Sequence, residues 1–133
     1  MGHVVLLGDS IFDNARYVPG HPAVIEQLRR SLPRDWQATL LAVDGHITSD
    51  VAAQLNRLPA DATHLVVSIG GNDALSAAGV FHVPAASVQE ALLELVQVQT
   101  GFREDYRQML AGVLARQLPT TLCTVYDAVP GLG

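Results

Sequence analysis

Apolar residues fall in four short runs, Val4 to Leu7, Thr39 to Val43, His64 to Ile69 and Thr121 to Tyr126, each closed by Gly, Asp or Pro. Such runs, rich in Val, Leu, Ile and Thr, have the length and content of strands buried on both faces of a parallel sheet. Between them the period changes. Pro22 to Ser31 sets Val24, Ile25 and Leu28 on one helical face, and Ser49 to Leu58 does the same with Val51, Ala52 and Leu55. A third, longer connection spaces Val88, Leu92, Leu95, Phe102, Tyr106, Met109, Leu110 and Val113 by three, four or seven residues, with Gly101 expected to interrupt or bend it. Strand and helix in alternation predict an α/β fold around an open parallel sheet.

There is no internal repeat, low-complexity tract or linker, so residues 1–133 are expected to form one domain. The last run is as apolar as the others, yet only seven residues follow Tyr126. A bare apolar edge strand invites aggregation. The expectation is therefore a C-terminally incomplete domain whose sheet is finished by a further segment or by another chain, for instance in a homo-oligomer.

Composition narrows the choices. The 49% apolar content is that of a globular domain, and the net charge is −5, with all eight basic residues being arginines scattered along the chain. No basic stripe points to nucleic acid or an anionic membrane surface. Cys123 is the only cysteine, which excludes an intrachain disulfide and a Cys-rich metal site. The N-terminus lacks a basic, then long apolar, leader pattern, and no run approaches a membrane span. These features predict a cytoplasmic protein without cofactor or metal.

In open α/β sheets, ligands bind beyond the carboxyl ends of the strands. There the chain places Gly8-Asp9-Ser10, Asp44-Gly45-His46 and Gly70-Gly71-Asn72-Asp73 after the first three runs. Acyl transfer needs a hydroxyl nucleophile and donors about 3 Å from the developing oxyanion. Ser10 can be the nucleophile, and the N–H groups of Ser10 and Gly45 with the Asn72 amide can be the donors. Each has a plainer reading. Ser10-Ile-Phe-Asp13 fits a helix capping box, Gly45 a turn, and Asn72 a turn or cap residue. A helix starting at Ser10 would serve both readings, because its N-terminus favours negative charge.

Taken together, the three segments resemble the SGNH/GDSL hydrolases: Gly8-Asp9-Ser10 the first block, Gly45 the glycine of the second, and Gly71-Asn72-Asp73 the third, over essentially the whole chain. The resemblance implies a flavodoxin-like three-layer α/β/α sheet of about five strands, here lacking the last strand and C-terminal helix. It also implies hydrolysis of a small-molecule carboxylic ester without a metal. Ser10 would be nucleophile and donor, Gly45 and Asn72 the other donors, and Asp9 and Asp73 supports for the loops.

The family takes its base from an Asp-x-x-His block near the C-terminus. The one such spacing here, Asp61-Ala62-Thr63-His64, precedes the third strand and is expected at the opposite rim, a strand length of roughly 17–20 Å away. His46, at the correct rim, reads first as a substrate-facing loop residue and second as the base. His82 is a further candidate for the cleft, along with Tyr17, Val18 and Phe81. Two rival readings differ in class: a catalytically silent binding module of the same fold, and a flavodoxin-like anion or nucleotide binder. The second lacks any P-loop or Gly-x-Gly-x-x-Gly pattern.

Overall fold

The computed structural model describes residues 1–125. Its centre is a four-stranded parallel sheet in the order β2-β1-β3-β4, formed by β1 (Gly2–Gly8), β2 (Trp36–Leu40), β3 (His64–Ser68) and β4 (Thr120–Leu122). All seven residues of β1 are buried, as a central strand with neighbours on both edges and both faces requires.

The period-two alternation of β1 and β3 sorts two cores. Val5, Leu7, Leu65 and Val67 face one side, where they pack with Val51 and Leu55 of α2 (Val51–Leu55) and with Met109 and Val113 of α4 (Val88–Leu114). Val4, Leu6 and Val66 face the other, against Ile25 and Leu28 of α1 (Val24–Ser31) and against Phe12. Helices thus lie on both faces, giving three layers. A short helix, α3 (Gly71–Ala77), follows β3, and a 3₁₀ turn over Ala78–His82 extends it.

Several expectations are corrected. The second strand is Trp36–Leu40 rather than Thr39–Val43. The carbonyl of Leu6 takes the N–H of both Leu41 and Ala42, which breaks the ladder just where the apolar run is densest. The helix expected over Ser49 to Leu58 divides into a 3₁₀ turn, Thr48–Asp50, and the shorter α2. Gly101 neither interrupts nor ends α4, which runs through it for 27 residues. Only the C-terminal half of α4 reaches the core, and Val88, Leu92 and Leu95, expected on the buried face, are exposed. β4, the last strand among the described residues, is three residues long and mostly exposed rather than a buried run from Thr121, and Tyr126 with the seven residues after it lies outside the described residues. Among the described residues no helix is long and apolar enough to cross a membrane.

Candidate active site

Because all four strands are parallel, the segments after β1, β2 and β3 gather at one rim. β1 ends at Gly8 with φ of +134°, where a Cβ would fall 1.8 Å from the carbonyl oxygen of Ser68. No other residue fits there. The chain then turns on Asp9. Its N–H donates to Ser68 O (3.2 Å), its carbonyl accepts from Phe12 and Asp13, and its carboxylate accepts from the Ile11 N–H (3.1 Å).

This turn corrects the expected capping box. Asp9, not Ser10, satisfies the free N–H groups, and no helix starts at Ser10. The help expected from a helix N-terminus beneath Ser10 is therefore absent. Ser10 sits half-buried at the corner, and neither its hydroxyl nor its N–H has a hydrogen-bond partner among the described residues. Burial raises the Asp9 carboxyl above the ordinary carboxylate value; the Ile11 N–H opposes this, and the negative charges of Asp73 and Asp44 add to the rise.

The loop after β2 is fastened from three directions. Asp13 accepts the N–H of Asp44 (2.8 Å), tying it to the Ser10 turn. Asn72 donates from Nδ2 to the carbonyl of His46 (2.9 Å), tying it to the first turn of α3. The Asp73 carboxylate accepts both the N–H and the hydroxyl of Thr48, the latter at 2.7 Å. Gly45 lies at φ of +87°, and its N–H donates to no acceptor among the described residues. Asn72 carries two amide hydrogens and spends one on His46, so one remains.

Gln54, on α2 and 3% exposed, closes the arrangement from below. Its Oε1 accepts the Gly8 N–H (2.8 Å), its Nε2 donates to the Gly8 carbonyl (2.8 Å), and the same Nε2 lies 2.9 Å from Nδ1 of His46. Sequence reasoning missed Gln54 and Thr48, and it read Asp13 as a capping partner of Ser10 rather than as the acceptor of the Asp44 N–H. The one signal for Gln54 was a polar residue between Val51 and Leu55 on an otherwise apolar helix face.

Other candidates stand apart. His82 is exposed at the end of its 3₁₀ turn, and no hydrogen bond among the described residues brings it to the Ser10 turn. Tyr17 is exposed and donates its hydroxyl to Asp44, which raises its pKa; Phe81 is exposed and Val18 half-buried. His64 begins β3 at the far rim, as expected of Asp61 to His64. There Asp61 pairs with His3 (3.0 Å), the one histidine–carboxylate pair among the described residues. From His3 to Gly8 the strand alone covers about 17 Å, too far for proton transfer to Ser10.

Two hollows adjoin the rim. A crevice of about 240 Å³ is lined by Asp9, Ile11, Ser68, Gly71 and Cys123, and a cavity of about 650 Å³ lies between α3 and α4 against Ala74, Ala77, Leu95, Val98 and Phe102. Val125 lines both. No group of three or more His, Cys, Asp or Glu side chains among the described residues could hold a metal.

No curated protein matches the sequence. Among solved structures, the chain is similar to AlinE4, an SGNH-hydrolase family esterase, with a TM-score of 0.64 and 21% identity over 99% of this chain and 62% of that one. It is also similar to an extracellular lipase from Streptomyces rimosus (TM-score 0.58, 16% identity, 100% of this chain and 67% of that one). A third is the psychrotrophic esterase EstA from Pseudoalteromonas sp. (0.53, 16%, 100% and 64%). At these identities the likeness is one of fold, and the chain spans 62% of the length of AlinE4. The model of the GDSL-like lipase/acylhydrolase family matches residues 6–132, nearly the whole sequence, and the chain therefore belongs to that family.

Proposed function

We propose that the protein hydrolyses carboxylic esters through Ser10. The observation that carries this reading is the set of uncommitted groups at one rim. They are the Ser10 hydroxyl and N–H, the Gly45 N–H and the spare hydrogen of Asn72, on two loops and the first turn of α3, which hydrogen bonds lace together. In that reaction the Ser10 oxygen attacks the ester carbonyl carbon and its proton passes to a base. The carbonyl oxygen becomes an oxyanion held by the three donors. Collapse expels the alkoxy oxygen, which takes that proton back from the base and departs as the alcohol. Water then hydrolyses acyl-Ser10, giving the acid and returning a proton to the serine oxygen. Membership of the GDSL-like family supports the reaction class. Asp9 and Asp73 act as supports: Asp9 builds the turn that presents Ser10, and Asp73 fixes the Thr48 end of the loop that carries Gly45.

The one histidine–carboxylate pair among the described residues lies at the wrong end of β1 to serve as the base. The cavity between α3 and α4 shares Val125 with the crevice and offers room for an acyl chain.

A fluorophosphonate probe followed by mass spectrometry tests the nucleophile. The adduct is expected on Ser10 and on no other serine. A Ser10→Ala variant that hydrolyses activated esters as fast as its parent overturns the reading.

A further inference from the structure

We propose that Gln54 is a positioning residue that holds His46 with its ring proton on Nε2, so that His46 presents a hydrogen-bond donor, and not a base, beside the Gly45 loop. A carboxamide is ambiguous by shape, but here the backbone of Gly8 decides its orientation. The Gly8 N–H must meet an oxygen, and the Gly8 carbonyl, which also takes the Val43 N–H, would repel an oxygen at the 2.8 Å where Nε2 stands, so Oε1 and Nε2 of Gln54 can be placed only as they are. Turning the amide over would set donor against donor and oxygen against oxygen in a site that is 3% exposed.

Nε2 of Gln54 is thus an NH₂ group with two hydrogens. One goes to the Gly8 carbonyl, and the other points to Nδ1 of His46, 2.9 Å away. A nitrogen that receives a hydrogen bond bears a lone pair and no proton. In the neutral ring the proton then sits on Nε2, which has no partner among the described residues. Neither nitrogen is left to take a proton from Ser10: the Nδ1 lone pair is engaged, and Nε2 already carries its hydrogen.

The consequence for catalysis rests on the ester-hydrolase reading. A neutral Nε2–H beside Gly45 is suited to an oxygen acceptor on the substrate, such as a carbonyl or alkoxy oxygen. Gln54 also ties the Gly8 end of the nucleophile strand to the loop that carries Gly45, so one side chain sets the spacing between nucleophile and donor. The tautomer does not depend on that reading.

The test is ¹⁵N NMR of the imidazole rings in the intact chain, at a pH about two units above the ordinary imidazole value of about 6.5. In the wild type the His46 Nδ1 is expected in the unprotonated range and Nε2 in the protonated range. Gln54→Glu offers only oxygens, one of which still accepts the Gly8 N–H. Nδ1 is then expected to gain a proton. A wild-type ring that is protonated on Nδ1, or that mixes the two forms equally, overturns the proposal without recourse to any variant. So does a Gln54→Glu chain whose Nδ1 stays bare. In parallel, Gln54→Met is expected to slow fluorophosphonate labelling of Ser10 about tenfold to a hundredfold, as small misplacements of reacting groups do; unchanged labelling overturns the positioning role. If Ser10 of the wild type takes no label while His46 gives the expected spectrum, the hydrolase reading falls and the Gln54–His46 arrangement stands.

Discussion

The hydroxyl of Thr48 donates to the carboxylate of Asp73 across 2.7 Å, and the same carboxylate takes the Thr48 N–H. Thr48 is 1% exposed and Asp73 half-buried, so this contact fixes the loop after β2 against the first turn of α3 with water reaching only the carboxylate side. Replacing Thr48 by Val keeps the shape and deletes the donor, leaving a carboxylate with one hydrogen bond fewer. We expect Thr48→Val to cost about 2 kcal/mol in urea unfolding, the usual worth of a hydrogen bond to a charged partner. Thr48→Ser, which keeps the hydroxyl, should cost less. In a double-mutant cycle with Asp73→Asn, the two losses should not add.

Asn72 stands one residue before Asp73, in the same first turn of α3. Its Nδ2 has one hydrogen bound to His46 O and one to spare. On the proposed mechanism, Asn72→Ala lowers kcat by about a hundredfold to a thousandfold, the cost of one oxyanion donor. On the same mechanism Ser10→Ala is expected to remove activity, yet Ser10 makes no side-chain hydrogen bond among the described residues. Its stability should therefore remain within about 0.5 kcal/mol of the parent. A large loss of stability in Ser10→Ala would mean that the hydroxyl does structural work.

How far these arrangements could be read from sequence depends on what each residue answers to. The bounds of β1 and β3 were close to legible because strands buried on both faces must be apolar throughout. β2 was displaced because hydrogen-bond register, not hydropathy, ends it: the Leu6 carbonyl collects two N–H groups, and the apolar run continues past the ladder. The Ser10 to Asp13 spacing imitated a capping box, but the preceding Asp9 captured the turn. α3 escaped notice because Gly70 caps it and Gly71 opens it, and paired glycines read as loop. Gln54 was invisible for a different reason. A polar residue in an apolar stripe means nothing until the strand end that it serves, 46 residues away, is placed against it.

Gly101 was expected to interrupt or bend its helix, and the uninterrupted helix makes a prediction with a definite sign. The residue lies inside α4 with ordinary φ, it is exposed, and a Cβ there would meet nothing within 4 Å. Gly101→Ala should stabilise the protein by about 1 kcal/mol, through lower entropy of the unfolded chain and better helix propensity. Denaturation midpoints check it, and a loss of stability would show that the helix needs a glycine at this point.

Gly8 should behave in the opposite sense. Its φ of +134° and the Ser68 carbonyl oxygen 1.8 Å from any Cβ leave no room for alanine, and both of its peptide groups are held by Gln54. The strand end would have to move, breaking those bonds. We expect Gly8→Ala to cost more than about 3 kcal/mol, combining backbone strain, overpacking and unpaired buried groups. Thermal melting of Gly8→Ala beside Gly79→Ala, where a Cβ meets nothing, separates this from a general intolerance of substitution.

Asp9 gives the pH-dependent case. It is 4% exposed, and burial, with the Asp73 and Asp44 charges, raises its carboxyl above the ordinary 3.8 against the pull of the Ile11 N–H. Between 3.8 and the raised value the folded chain holds a proton that the unfolded chain has released. Stability from this group is therefore fully present below 3.8 and is lost as pH rises through the folded value. Asp9→Asn keeps an oxygen for the Ile11 N–H and removes the titration. Its stability relative to wild type should climb as pH is raised from about 3 to about 7, and level off once the wild-type carboxyl is ionised in both states. Urea midpoints of the two proteins across that range give the difference directly. A difference that falls with rising pH would mean that the Ile11 hydrogen bond outweighs burial and that the carboxylate is the form the turn prefers.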